Sequence, residues 1–276
     1  MHRRNLRFSI FKYSALAVIV IFVTFPLYYM VSVSFRSQSS LFMNPSYLPV
    51  DLRIKNYNFA IHSHDFIKGL VNSLIVAGVA TTVAVVFSVM AAYSLTILRY
   101  KGRDTLGRII VVAFLTPGAL LFIPLAAISA NFHMSNSLRG LILVYLSFTV
   151  PLGTYLLIGF FKNLVGELEE AARTDGANRL QALWYILIPL IAPGLVSVAI
   201  LTFTAAWNEL LYSLVINVSP GVRTLPVAIL NLSVADETPL GLIMAYSTIA
   251  AAPVLLLYFV GQRFIVEGLQ TGAVKG

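Results

Sequence analysis

Residues 69–98 of the chain read GLVNSLIVAGVATTVAVVFSVMAAYSLTIL and contain no charged side chain. A helix that crosses the hydrocarbon core of a bilayer needs about 20 mainly apolar residues, so this run is long enough to span a membrane. Its apolar character is continuous and does not alternate, which excludes a strand of a membrane β-barrel. The stretch therefore predicts a membrane-spanning α-helix.

The composition of the whole chain indicates the same class. Of its 276 residues 58% are hydrophobic and 11% are charged, and the mean hydropathy is +0.85. An average soluble domain carries about 25% charged residues. Because backbone groups in lipid must bond within their own segment, each long apolar run is interpreted as a helix. We predict an all-α polytopic membrane protein with six spans at about residues 13–33, 69–98, 109–130, 141–161, 185–215 and 242–259.

Other features of the sequence restrict its covalent links and the number of its domains. The chain has no cysteine, so disulfides and thiolate metal sites are excluded. No long polar stretch offers a second core, so residues 1–276 are predicted to form a single transmembrane domain. The first apolar run exceeds the length of a signal-peptide core and no clear small-residue cleavage site follows, so we expect an uncleaved anchor.

The basic residues predict the orientation. The formal net charge is +8, but most of the 19 Lys and Arg residues flank apolar runs, so they are topology signals and no nucleic-acid partner is predicted. If the N-terminus lies in the cytoplasm, only a minority of these Lys and Arg residues fall in segments on the outer side of the membrane. The positive-inside rule therefore places both termini in the cytoplasm. The residues left outside are Arg36, Arg53, Lys55, Lys68, Arg139 and Arg223.

Residues 164–180, between the fourth and fifth spans, differ from the rest of the chain. Four acidic residues gather between Glu167 and Asp175, among good helix formers. Asp175-Gly176 predicts the end of a short helix, and Asn178 is a suitable N-cap for the next one. An isolated helix of about ten residues is only marginally stable in water, so this one should be held by packing against another surface.

The same stretch carries a resemblance to a known family. Glu170-Ala171-Ala172, three residues, Gly176, nine residues and then Ile186-Leu187-Ile188-Pro189 resembles the EAA signature of the permease subunits of binding-protein-dependent ABC importers. Ile188 stands where leucine is usual, which is a conservative change. The resemblance implies a type I importer permease (MetI-like) bundle of six transmembrane helices.

In that family the EAA stretch forms a coupling helix that docks on a cytoplasmic ATPase. The resemblance therefore implies that residues 164–180 form the coupling region. It implies ATPase-coupling roles for Glu169, Glu170, Ala171, Ala172, Asp175, Gly176 and Pro189. The terminal segment 267–276 resembles family tails that reach toward the ATPase dimer interface, although a frayed terminus is the alternative.

Further motifs resemble the carbohydrate branch of the family, the maltose-type second permease subunit. They are VNSL at residues 71–74, AAWNELLYSL at 205–214 and EGLQTGAVKG at 267–276. The implied partners are a second permease subunit, a homodimeric cytoplasmic ABC ATPase, an extracytoplasmic solute-binding protein and membrane lipid. The implied location is the cytoplasmic (inner) membrane of a prokaryote, with several passes.

The chain itself contains no Gly-Lys dipeptide, so it lacks the P-loop that holds nucleotide phosphates. We therefore predict that it is not an enzyme and binds no cofactor, with ATP and Mg²⁺ held by the partner ATPase. His62, His64 and Asp65 crowd too closely in one loop to surround a metal ion without other ligands, so no metal site is predicted. A membrane-embedded enzyme is disfavoured because no catalytic set is present.

One acidic residue falls inside a predicted span, where charge is costly and usually functional. Glu209 stands beside Trp207 and Asn208, with Tyr212 near one helical turn away. Polar groups and aromatic faces suit sugar binding, so these four form a possible substrate pathway. The alternative is that Glu209 lies near the membrane surface or pairs with another helix, and only packs the two permease subunits together.

The sequence thus predicts a permease subunit of an ATP-driven importer for a sugar or related solute. The alternative is a stand-alone secondary transporter, which would need internal repeats and several intramembrane carboxylates.

Overall fold

The structure, a computed structural model, describes residues 2–44, 46–48, 52–164, 166–233 and 239–273. The residues in these ranges form helices and connecting loops, with no strand among them. The all-α prediction is therefore confirmed. In the predicted C-terminal tail the backbone is helical to Ala273, and residues 274–276 lie outside the described part.

The helices follow one another along the chain with few long loops. In order they are α1 (His2–Ser34), α2 (Gln38–Met43), α3 (Lys55–His62), α4 (His64–Thr96), α5 (Arg103–Leu115), α6 (Gly118–Asn131), α7 (Leu138–Leu164), α8 (Gly166–Thr174), α9 (Arg179–Gln181), a π-helical turn (Ala182–Leu187), α10 (Ile188–Leu190), α11 (Ala192–Trp207), α12 (Leu211–Ile216), a 3₁₀ turn (Pro220–Val222), α13 (Leu225–Ser233) and α14 (Leu240–Ala273).

Four of the predicted spans are continuous helices within the described residues. The segments long and apolar enough to cross a membrane are Phe11–Ser34, His64–Thr96, Leu138–Lys162 and Leu240–Phe264. The other two predicted spans correspond to bent helix pairs. The count of six is reached when each bent pair is taken as one span.

The predicted third span is broken in the middle. Helices α5 and α6 meet at an angle of 103° around Thr116 and Pro117. The residue before a proline is pushed out of the helical region, and Thr116 has φ −71° and ψ 122°. The predicted span over residues 109–130 is therefore a bent pair of helices and not one continuous helix.

The predicted fifth span is broken twice. Its first part, Arg179–Leu190, bends by 78° from Ala192–Trp207. Pro189 and Pro193 lack an N–H group, so the backbone on either side of Ile191 cannot continue a regular helical ladder. The helix then ends at Trp207, and α12 is a separate short helix, so the predicted span to Val215 is not one continuous helix either.

The chain forms two compact units. The first contains residues 1–67 and 229–252, and the second contains residues 68–228 and 253–276. In the first unit the Arg36 side chain is buried and its guanidinium donates to the carbonyl oxygens of Ser40, Asn44 and Ser46. Also in this unit, the rings of Phe66 and Tyr246 lie 4.1 Å apart.

The core of the second unit is built from α4, α7, the π-helical turn and α11. Its buried residues are Val89, Ala92, Tyr93, Leu157, Phe161, Leu183, Leu187, Ile191 and Val198. Helices approach closely where small residues face each other, as membrane helices often do. Ser88 of α4, for example, donates a 3.1 Å hydrogen bond to the Val150 carbonyl of α7.

Gly153 of α7 lies at this close approach and provides a test of the packing. A methyl group added there would lie 2.5 Å from Ser88 Oγ, 3.1 Å from Ser88 Cβ and 3.3 Å from Val198 Cγ1, so the side chains that face it from both neighbouring helices would have to shift. We expect Gly153→Ala to lower the free energy of unfolding by about 1–3 kcal/mol. Thermal unfolding of the detergent-purified protein measures the loss.

Gly159→Ala in the same helix is the matched control, because its methyl group would meet no atom within 4 Å. Equal unfolding temperatures for the two variants would contradict the close approach at Gly153.

Candidate coupling helix and buried carboxylate cluster

Helix α8 is the short helix that the acidic stretch predicts, and it lies against α7 and the π-helical turn. Two of its residues face the protein, since Glu169 is 4% exposed and Ala172 is 5% exposed. Glu170 and Ala171 are exposed, and so is the neighbouring Leu168 at 44%. The helix therefore has an inner face and an open outer face.

This arrangement divides the predicted coupling residues between the two faces of α8, and their ATPase-coupling role stays a prediction. Glu169 was predicted with the residues that meet a partner, but its side chain is turned inward. Ala171 and Ala172 lie on different faces, because consecutive helical residues point about 100° apart, and of the two only Ala171 is exposed. The side chain of Glu167 lies outside the described residues.

The inner face of α8 is tied to α4 by a polar contact. The Tyr93 hydroxyl donates to Glu169 Oε1 over 3.5 Å, and Tyr93 is itself buried in the core of the second unit. Arg173 Nε lies 3.9 Å from the same carboxylate oxygen, one helical turn along α8. A buried carboxylate needs such partners, because burying an unpaired charge is expensive. Tyr93 could not be identified from the sequence, since it stands 76 residues away.

The end of α8 follows the predicted turn. Gly176 has φ +97°, a left-handed conformation that glycine adopts without strain. The Ala177 N–H donates to the Ala172 carbonyl at 3.0 Å, and the Gly176 N–H donates to the Arg173 carbonyl at 3.1 Å. These bonds form a Schellman motif, which closes the helix and redirects the chain. The predicted stop at Asp175-Gly176 is confirmed.

The next helix begins at the predicted cap. Asn178 Oδ1 accepts from the Gln181 N–H at 2.9 Å, and Gln181 Oε1 accepts from the Asn178 N–H at 2.9 Å. This reciprocal capping box satisfies two donors that a helix start leaves free. The turn between α8 and α9 is thus held at both ends.

Pro189 of the EAA signature lies beyond this turn. The π-helical turn ends immediately before α10, where the Ile188 N–H donates to the Leu183 carbonyl five residues back. Pro189 has no N–H to restore the regular α pattern there. The residue thus stands where the chain leaves the coupling region and bends into α11.

Glu209 lies in the short break between α11 and α12, and all of its contacts are within the second unit. Its Oε2 accepts from the Tyr145 hydroxyl at 2.9 Å and from the Ser213 N–H at 3.3 Å. Its Oε1 accepts from the Tyr212 N–H at 3.0 Å. The carboxylate therefore caps the N-terminus of α12 and is joined to α7 through Tyr145.

The other residues of the predicted substrate pathway divide between interior and surface. Trp207 is 4% exposed and stacks on Phe203, with ring centroids 5.5 Å apart. Tyr212 is buried, and its hydroxyl donates to the Gly118 carbonyl at 2.9 Å. Asn208 is the exposed member. The structure thus brings Glu209 and Tyr212 together but gives the two aromatic rings protein partners, and a role in a substrate pathway stays a prediction.

The VNSL motif proves to be a tertiary link. Asn72 Nδ2 donates to the carbonyl oxygens of Gly221 at 3.2 Å and Arg223 at 2.8 Å. Ser73 Oγ accepts from the Leu225 N–H at 2.8 Å, at the start of α13. These polar side chains of α4 therefore satisfy the backbone of a loop 149–152 residues away.

A family model described as the binding-protein-dependent transport system inner membrane component matches residues 84–269. This match contains α8, its Schellman turn and the Glu209 break. The chain belongs to this family. Family membership and the apolar helices make it a multi-pass inner membrane protein.

Curated relatives cover nearly the whole permease. The inner membrane ABC transporter permease protein YcjP of Escherichia coli is 34% identical over 267 residues, which are 96% of this chain and 95% of the relative. The trehalose transport system permease protein SugB of Mycobacterium tuberculosis is 34% identical over 261 residues, with 94% and 95% covered.

A solved structure shows the same fold. The chain matches a bacterial ABC transporter involved in the import of the acidic polysaccharide alginate with a TM-score of 0.78, covering 95% of this chain and 98% of that one. The identity is 24%, so the likeness concerns the fold.

Substitutions of the buried Glu169 and the exposed Glu170 can be compared directly. We expect Glu169→Ala to loosen α8, because Tyr93 and Arg173 lose their shared acceptor, at a cost of about 1–3 kcal/mol. Amide hydrogen exchange over residues 166–174 should then be faster in the purified protein. Glu170→Ala is the control and should leave that exchange unchanged, and equal rates in both variants would show that the inner contact does not hold the helix.

The contacts of Glu209 predict that substitutions at Glu209 and at its neighbour Asn208 have different effects on stability. Glu209→Ala removes the acceptor of the buried Tyr145 hydroxyl and the cap of α12, so we expect a loss of about 2–3 kcal/mol. Asn208→Ala, at the exposed neighbour, should change stability by less than about 0.5 kcal/mol. Thermal unfolding in detergent distinguishes them. An unchanged unfolding temperature in Glu209→Ala would show that the carboxylate is not structural.

Proposed function

We propose that this chain is a membrane permease subunit of an ATP-driven importer for a sugar or related solute. The observation that carries the proposal is the two-sided character of α8. One face is held on α4 through Glu169, and the other presents Leu168, Glu170 and Ala171 to the outside. A short helix with a fixed inner face and an open outer face suits a mechanical contact with a partner.

The outer face has the chemistry of a docking surface. Leu168 and Ala171 are three residues apart and therefore neighbours on the helix, which gives a small apolar patch that a partner can approach closely. Glu170 stands beside them and offers an exposed carboxylate to a cation or a helix N-terminus. The partner is a homodimeric cytoplasmic ATPase, which holds ATP and Mg²⁺.

The inner face gives this contact a route into the membrane helices. Movement of α8 is transmitted to α4 through the Tyr93–Glu169 contact, and to the bend before α11 through the π-helical turn. These elements also share the buried core of the second unit. Closure of the ATPases would thereby tilt the helices and alternate access across the membrane.

The substrate class and the other partners rest on the relatives. Their names include trehalose, trehalose/maltose and starch degradation products, so we propose a carbohydrate solute. A second permease subunit and an extracytoplasmic solute-binding protein complete the complex. An alginate importer of similar fold has been solved with a periplasmic protein bound to an alginate pentasaccharide, which supports the latter partner. Both termini lie in the cytoplasm, as the distribution of basic residues predicts.

Co-expression with the ATPase tests this function. The double variant Glu170→Lys plus Gly176→Pro reverses the outer charge and prevents the left-handed turn, since proline cannot adopt a positive φ. We expect the variant to insert in the membrane but to lose both co-purification of the ATPase and sugar uptake.

Asp65→Lys, a charge reversal at an exposed residue in the first turn of α4, is the control and should retain the ATPase. If the double variant binds the ATPase and transports like the wild type, the coupling role is wrong and a stand-alone transporter becomes the better explanation.

A further inference from the structure

A groove lies between α5 and α7, and none of the described residues that line it belongs to α8 or contacts Glu209. Its volume is about 620 Å³, and it is lined by one residue of α4 and by residues of the other two helices. A second cavity of about 530 Å³ adjoins it at the start of α5 and shares Arg103, Asp104 and Arg108 with it. We call the two together the basic groove.

The charges at one end of the basic groove are unbalanced. Arg103, Arg108 and Lys162 line the groove, and Arg99 lines the adjoining cavity. Asp104 is the acidic residue that the described lining contains, and it already lies 3.5 Å from Arg103 Nε. For Arg108 and Lys162 the described residues supply no ion pair. Within the part of the chain whose side chains the structure describes, this end therefore carries positive charges that have no counter-charge, at Arg108 and Lys162.

The backbone at this end also favours an anion. Helix α5 has 13 residues and begins after Gly102, which gives no side-chain cap to its first N–H groups. Gly102, Arg103 and Thr105 line the cavity where those groups lie. The first turn of a helix carries a partial positive charge and free donors, so it adds to the attraction of the arginines.

The rest of the basic groove is apolar. Leu95, Val111, Val112 and Ile158 line it, and Val112 remains 64% exposed. Tyr155 closes the wall and stacks on Phe114 with ring centroids 4.6 Å apart. A site with cations at one end and hydrocarbon along its length matches a molecule with a phosphate head and acyl chains.

We propose that the basic groove binds an anionic phospholipid of the membrane. The phosphate lies among Arg103, Arg108 and Lys162, and an acyl chain lies along Val111, Val112 and Ile158. Clusters of Lys and Arg at the cytoplasmic ends of membrane helices attract anionic head groups, and basic pockets between such helices hold them. A free phosphate would leave the apolar length of the groove unused. This inference does not depend on which solute is transported.

The first test removes charge from the groove. The probe is phosphatidylglycerol, with phosphatidylcholine as the neutral comparison, and the sample is the assembled importer in detergent. Native mass spectrometry counts the lipids retained, and a fluorescent phosphatidylglycerol gives the apparent dissociation constant. We expect Arg108→Gln plus Lys162→Gln to weaken phosphatidylglycerol binding about thirtyfold and to leave phosphatidylcholine unchanged.

The matched control also removes two positive charges, but from the N-terminal ends of α4 and α7, two helices that line the basic groove near their C-terminal ends. Lys68 lies near the start of α4 and Arg139 near the start of α7, and both are exposed. Lys68→Gln plus Arg139→Gln should retain wild-type selectivity for phosphatidylglycerol. An equal loss in both double variants would mean a general surface attraction and would overturn the site.

A second test blocks the apolar part and leaves the charges in place. Gly107 of α5 lines the groove, and a Cβ built there meets no atom within 4 Å, so a side chain can start from this position without a clash at Cβ. Gly107→Trp should lower phosphatidylglycerol retention while the complex stays intact.

Two results would contradict the proposal. Displacement of the lipid by inorganic phosphate, with no effect of Gly107→Trp, would identify a site for free anions. Unchanged lipid binding together with loss of the second permease subunit from the groove variants would identify a protein interface.

Discussion

A backbone N–H or C=O group that leaves water in this chain must bond within the protein, because lipid offers no partner. The constraint explains why helices account for nearly all of the described residues, and it also governs their breaks. Where Pro117 and Pro189 interrupt the helical ladder, the chain bends and begins a new helix. Neighbouring donors or carbonyl oxygens bind the charged groups of the buried Glu169 and Arg36 and of the half-buried Glu209.

The need for partners gives the carboxylates of Glu209 and Glu169 different structural roles. Glu209 is satisfied by a tyrosine and by the start of a helix, so its carboxylate stabilises a break within the fold. Glu169 joins a short surface helix to the end of a long apolar one. Glu170, one residue further on, stays in contact with the surroundings. A difference of one position on a helix therefore separates the carboxylate that holds α8 in place from the one that is exposed on its outer face.

Helix α8 and the basic groove both lie in the second unit and expose different polar groups. The helix presents a carboxylate and small apolar side chains, which suit a protein surface. The groove presents arginines and a lysine above apolar walls, which suit a lipid. Both lie next to α7, so one long helix serves both sites.

The sequence by itself determined the local features. The apolar length of residues 69–98, the turn at Gly176 and the cap at Asn178 each depend on residues within a few positions, so patterns could predict them. Family membership was likewise readable from the spacing around Glu170. Only the tertiary structure decided how distant segments pair, because these contacts follow no local sequence pattern. The three pairs are Tyr93 with Glu169 across 76 residues, Tyr145 with Glu209 across 64, and Asn72 with Arg223 across 151. The tertiary structure also decided that Trp207 lies in the interior and that Glu169 turns inward, since the direction of a side chain is set by what packs against its helix.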